Sequence, residues 1–188
     1  MNVFWDRGYH DAALPDLLAE MGITKGSFYK ALGDKKAIFL RAMELYSEDA
    51  AQSIRKVLAS DPSPKVAIRN AFLRFADLSS GADGRRGCFA VLTATEMLPV
   101  DSESAELVQS HYKRLQNLFA EAVRKGQAMG EINKDLDPEA VSQFIVAQAQ
   151  GMRVLGKLGS TRKQMLTDVD LVMRILFQGL NGNRKVYN

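Results

Sequence analysis

Behind Asp34, apolar side chains recur at Ile38, Phe39, Ala42, Leu45, Tyr46, Ile54, Val57 and Leu58, and the pattern stops before Ser60-Asp61-Pro62. A period near 3.6 residues lines up one face of an α-helix; a strand alternates every second residue and cannot use it. The Asp34 carboxylate can accept from the first free backbone N–H groups, and Pro62 cannot continue a helix. The stretch therefore predicts one helix of about 25 residues, roughly 37 Å long at 1.5 Å per residue.

The same punctuation recurs along the chain. Ser63-Pro64 reads as a cap and first helical residue for a run through Ile68, Ala71, Phe72, Phe75 and Ala76 to Gly81. "SSGADGRRG" reads as a loop by composition, and a shorter helix covers Cys88 to Met97 before Pro99. Asp101, Glu103 and Glu106 suit a helix N-terminus, and Arg124 and Lys125 its C-terminus. Asp137-Pro138-Glu139 opens the next helix, and Ser160 or Thr161 the last, which should run to about Leu180. The tail "NGNRKVYN" is polar and is expected to fray. No alternation of strand type persists, so the fold class expected is all-α with about nine helices.

Composition narrows the function. With 188 residues the chain can form one substantial core, or a small head on a larger body. Cys88 is the single cysteine, which precludes an intrachain disulfide and fits a reducing, cytoplasmic setting. His10, His111 and Cys88 are too few for a structural zinc site, so no metal or cofactor is expected. No apolar run approaches the roughly 18 residues of a membrane span. Glu-x-x-His pairs and a Walker-type phosphate loop are absent, and two histidines give no arguable Ser-His-Asp set, so no enzyme is expected. The net charge of +3 decides little, but residues 24–41 hold Lys25, Lys30, Lys35, Lys36 and Arg41 against Asp34 alone. That local excess suits phosphate; a merely solvated basic face is the competing reading.

Within that basic stretch, "ALPDLLAEMG" presents Leu14, Leu17 and Leu18 on one face and stops at Gly22, and Thr24 can cap a second short helix. Two short amphipathic helices joined by a glycine-containing turn fit a helix-turn-helix, whose second helix enters the DNA major groove N-terminal end first. The residues there fit that use. Lys25 and Lys30 offer cations, Thr24 and Ser27 hydroxyls, and Tyr29 a ring and a hydroxyl, while Gly26 leaves room for close approach of the backbone. Phe28 is expected to pack inward, and Lys35 to meet phosphate at the start of the next helix.

At this point "FWDRGYHDAALPDLLAEMGITKGSFYKALGDKKAIFLRAMELY" resembles the DNA-binding head of TetR/AcrR-type transcriptional regulators. The likeness covers residues 4 to about 46, through Gly8-Tyr9, Gly22-Ile23, Lys25-Gly26-Ser27, Phe28-Tyr29, Gly33 and Lys35-Lys36. "RGCFAVLTATEMLPVDSESAELV" and "DLDPEAVSQFIVAQAQGMRVL" resemble one ligand-domain subgroup of the family. The resemblance implies a head over residues 1–46 and a ligand-binding and dimerisation body over 47–188. It implies a homodimer on a double-stranded, pseudo-palindromic DNA operator, acting as a repressor released by a small-molecule effector. A non-catalytic helical module that binds another protein is the alternative. Ala12 and Ala13 stand where relatives usually carry threonine and serine, so Asp11 is expected to cap the second helix instead. "YKAL" replaces a more aromatic or histidine-rich ending. Met1 falls inside the family's first helix, so leading residues are expected to be missing.

In the body, Leu166, Val169, Met173, Leu176, Phe177 and Leu180 form one stripe, and Phe144, Gln148 and Gly151 lie on the preceding helix. Two such helices from each of two copies can make a four-helix interface; the bland alternative is that both stripes face their own core. For the effector, Phe72, Phe75, Phe89, Thr93, Met97, Tyr112, Phe144, Gln148 and Met152 combine apolar walls with polar handles. Glu96 is expected in an exposed ion pair, Cys88 as a buried apolar residue, and His111 as structural.

Overall fold

The computed structural model describes residues 1–177, which form ten helices and no strand among them. They are α1 (Asn2–Asp11), α2 (Leu14–Met21), α3 (Lys25–Leu32), α4 (Lys35–Leu58), α5 (Pro64–Leu78), α6 (Gly81–Arg86), α7 (Phe89–Met97), α8 (Ser102–Ala128), α9 (Pro138–Lys157) and α10 (Arg162–Phe177). Leu180 and the "NGNRKVYN" tail lie outside the described residues.

Most helix starts follow their caps. The Asp34 carboxylate accepts from Ala37 N–H at 2.8 Å, Ser63 Oγ from Val66 N–H at 3.2 Å, and Asp101 from Ser104 N–H at 2.7 Å. Each satisfies a backbone donor that the helix itself cannot. Two expectations are corrected. Asp11 caps nothing: Ala13 holds the N-cap position of α2 without a side-chain bond, because Pro15 fixes the entry one residue pair later. The glycine-rich "SSGADGRRG" is not all loop, since Gly81–Arg86 form α6. Close packing needs glycine there: a Cβ at Gly84 of α6 or at Gly156 of α9 would lie 2.5 or 2.6 Å from Ser79 O, so only hydrogen lets both helices settle against the end of α5.

Two hydrophobic clusters organise the chain. One joins the C-terminal part of α4 to α5, α8, α9 and α10 through Ile54, Ile68, Phe72, Phe119, Ile145, Met165 and Val169. The other joins α1–α3 and the start of α4 to α7 through Phe4, Leu17, Phe28, Phe39, Met43, Phe89 and Met97. Burying a phenylalanine fully contributes roughly 1.5–3 kcal/mol, so Phe4, Phe28, Phe39 and Phe89 alone anchor this small head strongly. The head thus shares its core with α7. Residue 46 falls inside α4, which runs about 36 Å through both clusters.

Polar contacts strengthen this joint. Gly8 interrupts α1 at φ 82°, ψ −179°, a conformation open to glycine alone. The break exposes the N–H groups of Tyr9 and His10, which donate to Glu96 Oε2 and Oε1 at 2.7 and 2.6 Å. Glu96 is therefore not in a surface ion pair; it caps the second half of α1 from α7. Lys36 pairs with Asp101 and donates to Ser104 Oγ, which ties α4 to the start of α8. That ammonium holds the Asp101 carboxyl down at about 2.

Candidate nucleic-acid interface and effector cavity

Thr24 starts α3, and its Oγ1 accepts from Ser27 N–H at 3.3 Å while lying 3.1 Å from Ser27 Oγ. Phe28 is fully buried and fixes the helix by its inner face, edge-on to Tyr29 at 5.4 Å between ring centres. On the outer face Thr24, Lys25, Gly26, Ser27 and Lys30 are exposed, and Tyr29 is 50% exposed. A Cβ at Gly26 would meet nothing within 4 Å, so no packing among the described residues calls for glycine there. Lys35 is placed differently from the other cations. Its Nζ donates to His10 O at 3.3 Å and lies 4.8 Å from the Tyr9 ring centre, so it closes the end of α1. Five exposed side chains on one helix surface, with no hydrogen bond or ion pair among the described residues beyond the Thr24–Ser27 pair, make a projecting polar face that suits a groove.

A cavity of about 190 Å³ lies where α1, α4, α5, α8 and α9 meet. Trp5, Ile54, Phe75, Leu78 and Leu115 give it apolar walls; Tyr46, Cys88, His111, Gln150 and Arg153 bring polar atoms, with Asp49 and Arg74 also on its lining. Tyr46 Oη and Cys88 Sγ are 3.2 Å apart. Burial, with the cysteine beside it, pushes the Tyr46 phenol above its ordinary value, so the hydroxyl stays protonated. His111 Nδ1 lies 3.2 Å from Ser47 Oγ, and burial, helped by Arg114, lowers its pKa to about 4, which keeps the ring neutral. Arg153 is 5% exposed. Its Nη2 donates to Gly87 O, the carbonyl that also accepts from Trp5 Nε1 at 3.2 Å. Its Nη1 and the Gln150 Oε1 are buried without a hydrogen-bond partner among the described residues.

Of the nine effector residues expected from sequence, Phe75 alone lines this cavity. Phe72 and Met152 belong to the larger cluster, with Phe144 packed against it. Phe89 and Met97 belong to the head's cluster, and the buried Thr93 hydroxyl turns to Met43 Sδ at 3.8 Å. Tyr112 packs against both clusters, and Gln148 is half-buried on α9. Their placement has one cause: aromatic and methionine side chains at helical spacing fill cores first. Arg153 lines the cavity without having been among the expected residues, yet it carried a signal. It sits four residues after Ala149 and eight after Ile145, both buried, so a cation falls on the inward face of α9.

Part of the expected pairing stripe turns inward in the single chain. Val169 and Met173 are buried in the protein's own core, and Leu176 and Phe177 are half-buried against it. The outward face of α9 and α10 instead carries Val154, Leu155, Leu171 and Ile175, with Leu158 79% exposed. Gly151 stands exposed on that face, and a Cβ there would meet nothing within 4 Å. Among the described residues, no helix is long and apolar enough to cross a membrane, and no cluster of three metal-ligating side chains occurs.

Comparison with known proteins agrees with this geometry. Residues 1–42 match the model of bacterial regulatory proteins of the tetR family, and residues 64–167 that of tetracyclin repressor-like C-terminal domains. The uncharacterized HTH-type transcriptional regulator YezE of Bacillus subtilis (strain 168) is 26% identical over 94% of this chain and 91% of its own length. The HTH-type transcriptional repressor DhaR of Mycobacterium sp. (strain GP1) is 27% identical over 95% of this chain and 86% of its own. Among solved structures, a cysteine mutant of the TetR family regulator CifR, complexed with 26 bp double-strand operator DNA, superposes with a TM-score of 0.83. It is 28% identical and covers 93% of this chain and 91% of that one.

Proposed function

The chain belongs to the TetR family of DNA-binding transcriptional regulators, and we propose on that premise that it is a homodimeric repressor released from its operator by a small molecule. Residues 1–46 act as the DNA-reading head, and residues from 47 onward hold the effector and the partner copy. The observation that carries this reading is the outer face of α3. Lys25, Ser27, Tyr29 and Lys30 project from a helix anchored by Phe28, and Gly26 has no packing reason among the described residues. Lys25 and Lys30 meet phosphate; Thr24, Ser27 and Tyr29 reach base edges and the groove wall. The chain acts by binding in the cytoplasm, where the chromosome lies.

Two copies associate through the outward faces of α9 and α10, where the exposed leucines and Gly151 allow close helix approach. Reading two half-sites then requires the α3 helices about 34–36 Å apart. Helix α4 borders the cavity with Tyr46 and Ile54 and begins beside α3, so it transmits occupancy. A tilt of about 10° over its length displaces its head end by roughly 6 Å, far beyond hydrogen-bond tolerance. The ligand prefers the splayed dimer and shifts the population to it.

A gel shift on a fragment library of the source genome, comparing wild type with Lys25→Glu, tests the reading. Retention of a subset of fragments by wild type and loss with the variant are expected. Equal retention by both proteins, or none by either, would favour a protein-binding module instead.

A further inference from the structure

We propose that the cavity between α1, α4, α5, α8 and α9 takes a small organic monocarboxylate, held by Arg153 and Gln150. The inference deepens the effector reading, but the binding itself requires no DNA. Arg153 is a guanidinium buried almost completely, and no carboxylate pairs with it among the described residues. Leaving a buried cation half-satisfied is unfavourable unless something else completes it. Nη2 is committed to Gly87 O, whereas Nη1 is buried and open.

Gln150 supplies the second group. It precedes Arg153 by three residues on α9, so both side chains share one helix face, and both line the cavity. Its buried amide oxygen has no partner among the described residues, and a turn of the amide offers its NH₂ to the same cavity. One guanidinium N–H and one amide N–H on the same cavity wall match the two oxygens of a carboxylate.

Volume and walls limit the rest of the ligand. About 190 Å³ is below the roughly 300–1,000 Å³ of drug-sized sites. Trp5, Phe75, Leu78 and Leu115 call for a short apolar body. Asp49 and Arg74, both on the lining, offset one another, so Arg153 leaves one net positive charge, which a monoanion balances. The coupling to the head is direct. Gly87 O accepts from both Arg153 and Trp5, so a carboxylate that draws Arg153 toward itself alters the carbonyl that positions α1.

The test is calorimetric titration and thermal shift of the full chain, without DNA, using propionate, butyrate and benzoate and their neutral amides as probes. Wild type should bind at least one carboxylate and raise its Tm, with the matching amide weaker by roughly tenfold or more. Arg153→Met should abolish that preference. Because Arg153 also holds Gly87 O, Gln150→Leu serves as a second variant and should weaken the carboxylate by roughly tenfold while the chain stays folded. No binding by any of the three acids, or equal binding of acid and amide, overturns the inference. Unchanged carboxylate binding in Gln150→Leu and in folded Arg153→Met overturns it as well. Fragment retention in the gel shift is read separately: it persists if only the carboxylate assignment fails, and is lost if the regulator reading fails.

Discussion

Tyr9 N–H donates to Glu96 Oε2 at 2.7 Å, which makes α7 of the body the cap of a broken helix in the head. The bond exists because Gly8 takes φ 82° and because hydrogen is all that fits: a Cβ there would lie 2.5 Å from that carboxylate oxygen. Head and body are therefore coupled along α1 through Glu96, through Trp5 and through Arg86 of α6, which pairs with Asp6 and donates to Asn2.

Gly8→Ala should destabilise the protein by about 2 kcal/mol or more, from backbone strain plus the clash. Glu96→Ala should cost about 1–3 kcal/mol by leaving two N–H groups without their acceptor. In the double variant the loss should fall short of the sum, because the clash needs the carboxylate. Denaturant unfolding of the three variants measures this; strict additivity would mean that the two residues do not interact.

On α3, Tyr29→Ala should lower operator affinity while changing stability by less than about 1 kcal/mol, since half of the side chain is already exposed. A thermal melt run beside the binding titration separates the two effects. A large drop in Tm would make the ring a structural element of the head.

Stability should depend on pH through His111. The unfolded ring titrates near 6.5 and the folded one at about 4, so between those values the unfolded chain binds more protons. The contribution is fully present above about pH 6.5, declines as pH falls to about 4, and is constant below that. Its size is on the order of 3 kcal/mol. His111→Gln should flatten the curve of unfolding free energy against pH across that window, and an unaltered slope would assign the dependence to other groups.

Replacing Leu155 and Leu171 together by glutamate should give folded monomers by light scattering, because both side chains are already exposed in the single chain. Dimers that persist would move the pairing face away from α9 and α10.

Much of this architecture was legible in the sequence because caps and 3.6-residue periods are local. Asp34, Ser63, Asp101 and Asp137 each begin a helix as their side chains allow. The face of α3 was legible for the same reason, since Thr24 and Phe28 fix which side turns inward. What escaped was long-range. Glu96 meets backbone groups 86 and 87 residues away, and nothing near it in the chain announces them. The cavity is drawn from five helices plus the Cys88 turn, so no single helical stripe reveals it. Lys35 looked like a free cation from its neighbours and is instead engaged with Tyr9 and His10 across the head.

The central claim, that paired α3 helices read a duplex, is tested most directly by footprinting the protein on a fragment that it selects from the source genome. The expected result is two protected half-sites related by a pseudo-dyad and about 34–36 Å apart, with Lys25→Ala reducing the salt dependence of binding by about one phosphate contact. A single unpaired or uniform protection, with a salt slope untouched by Lys25→Ala, would contradict it.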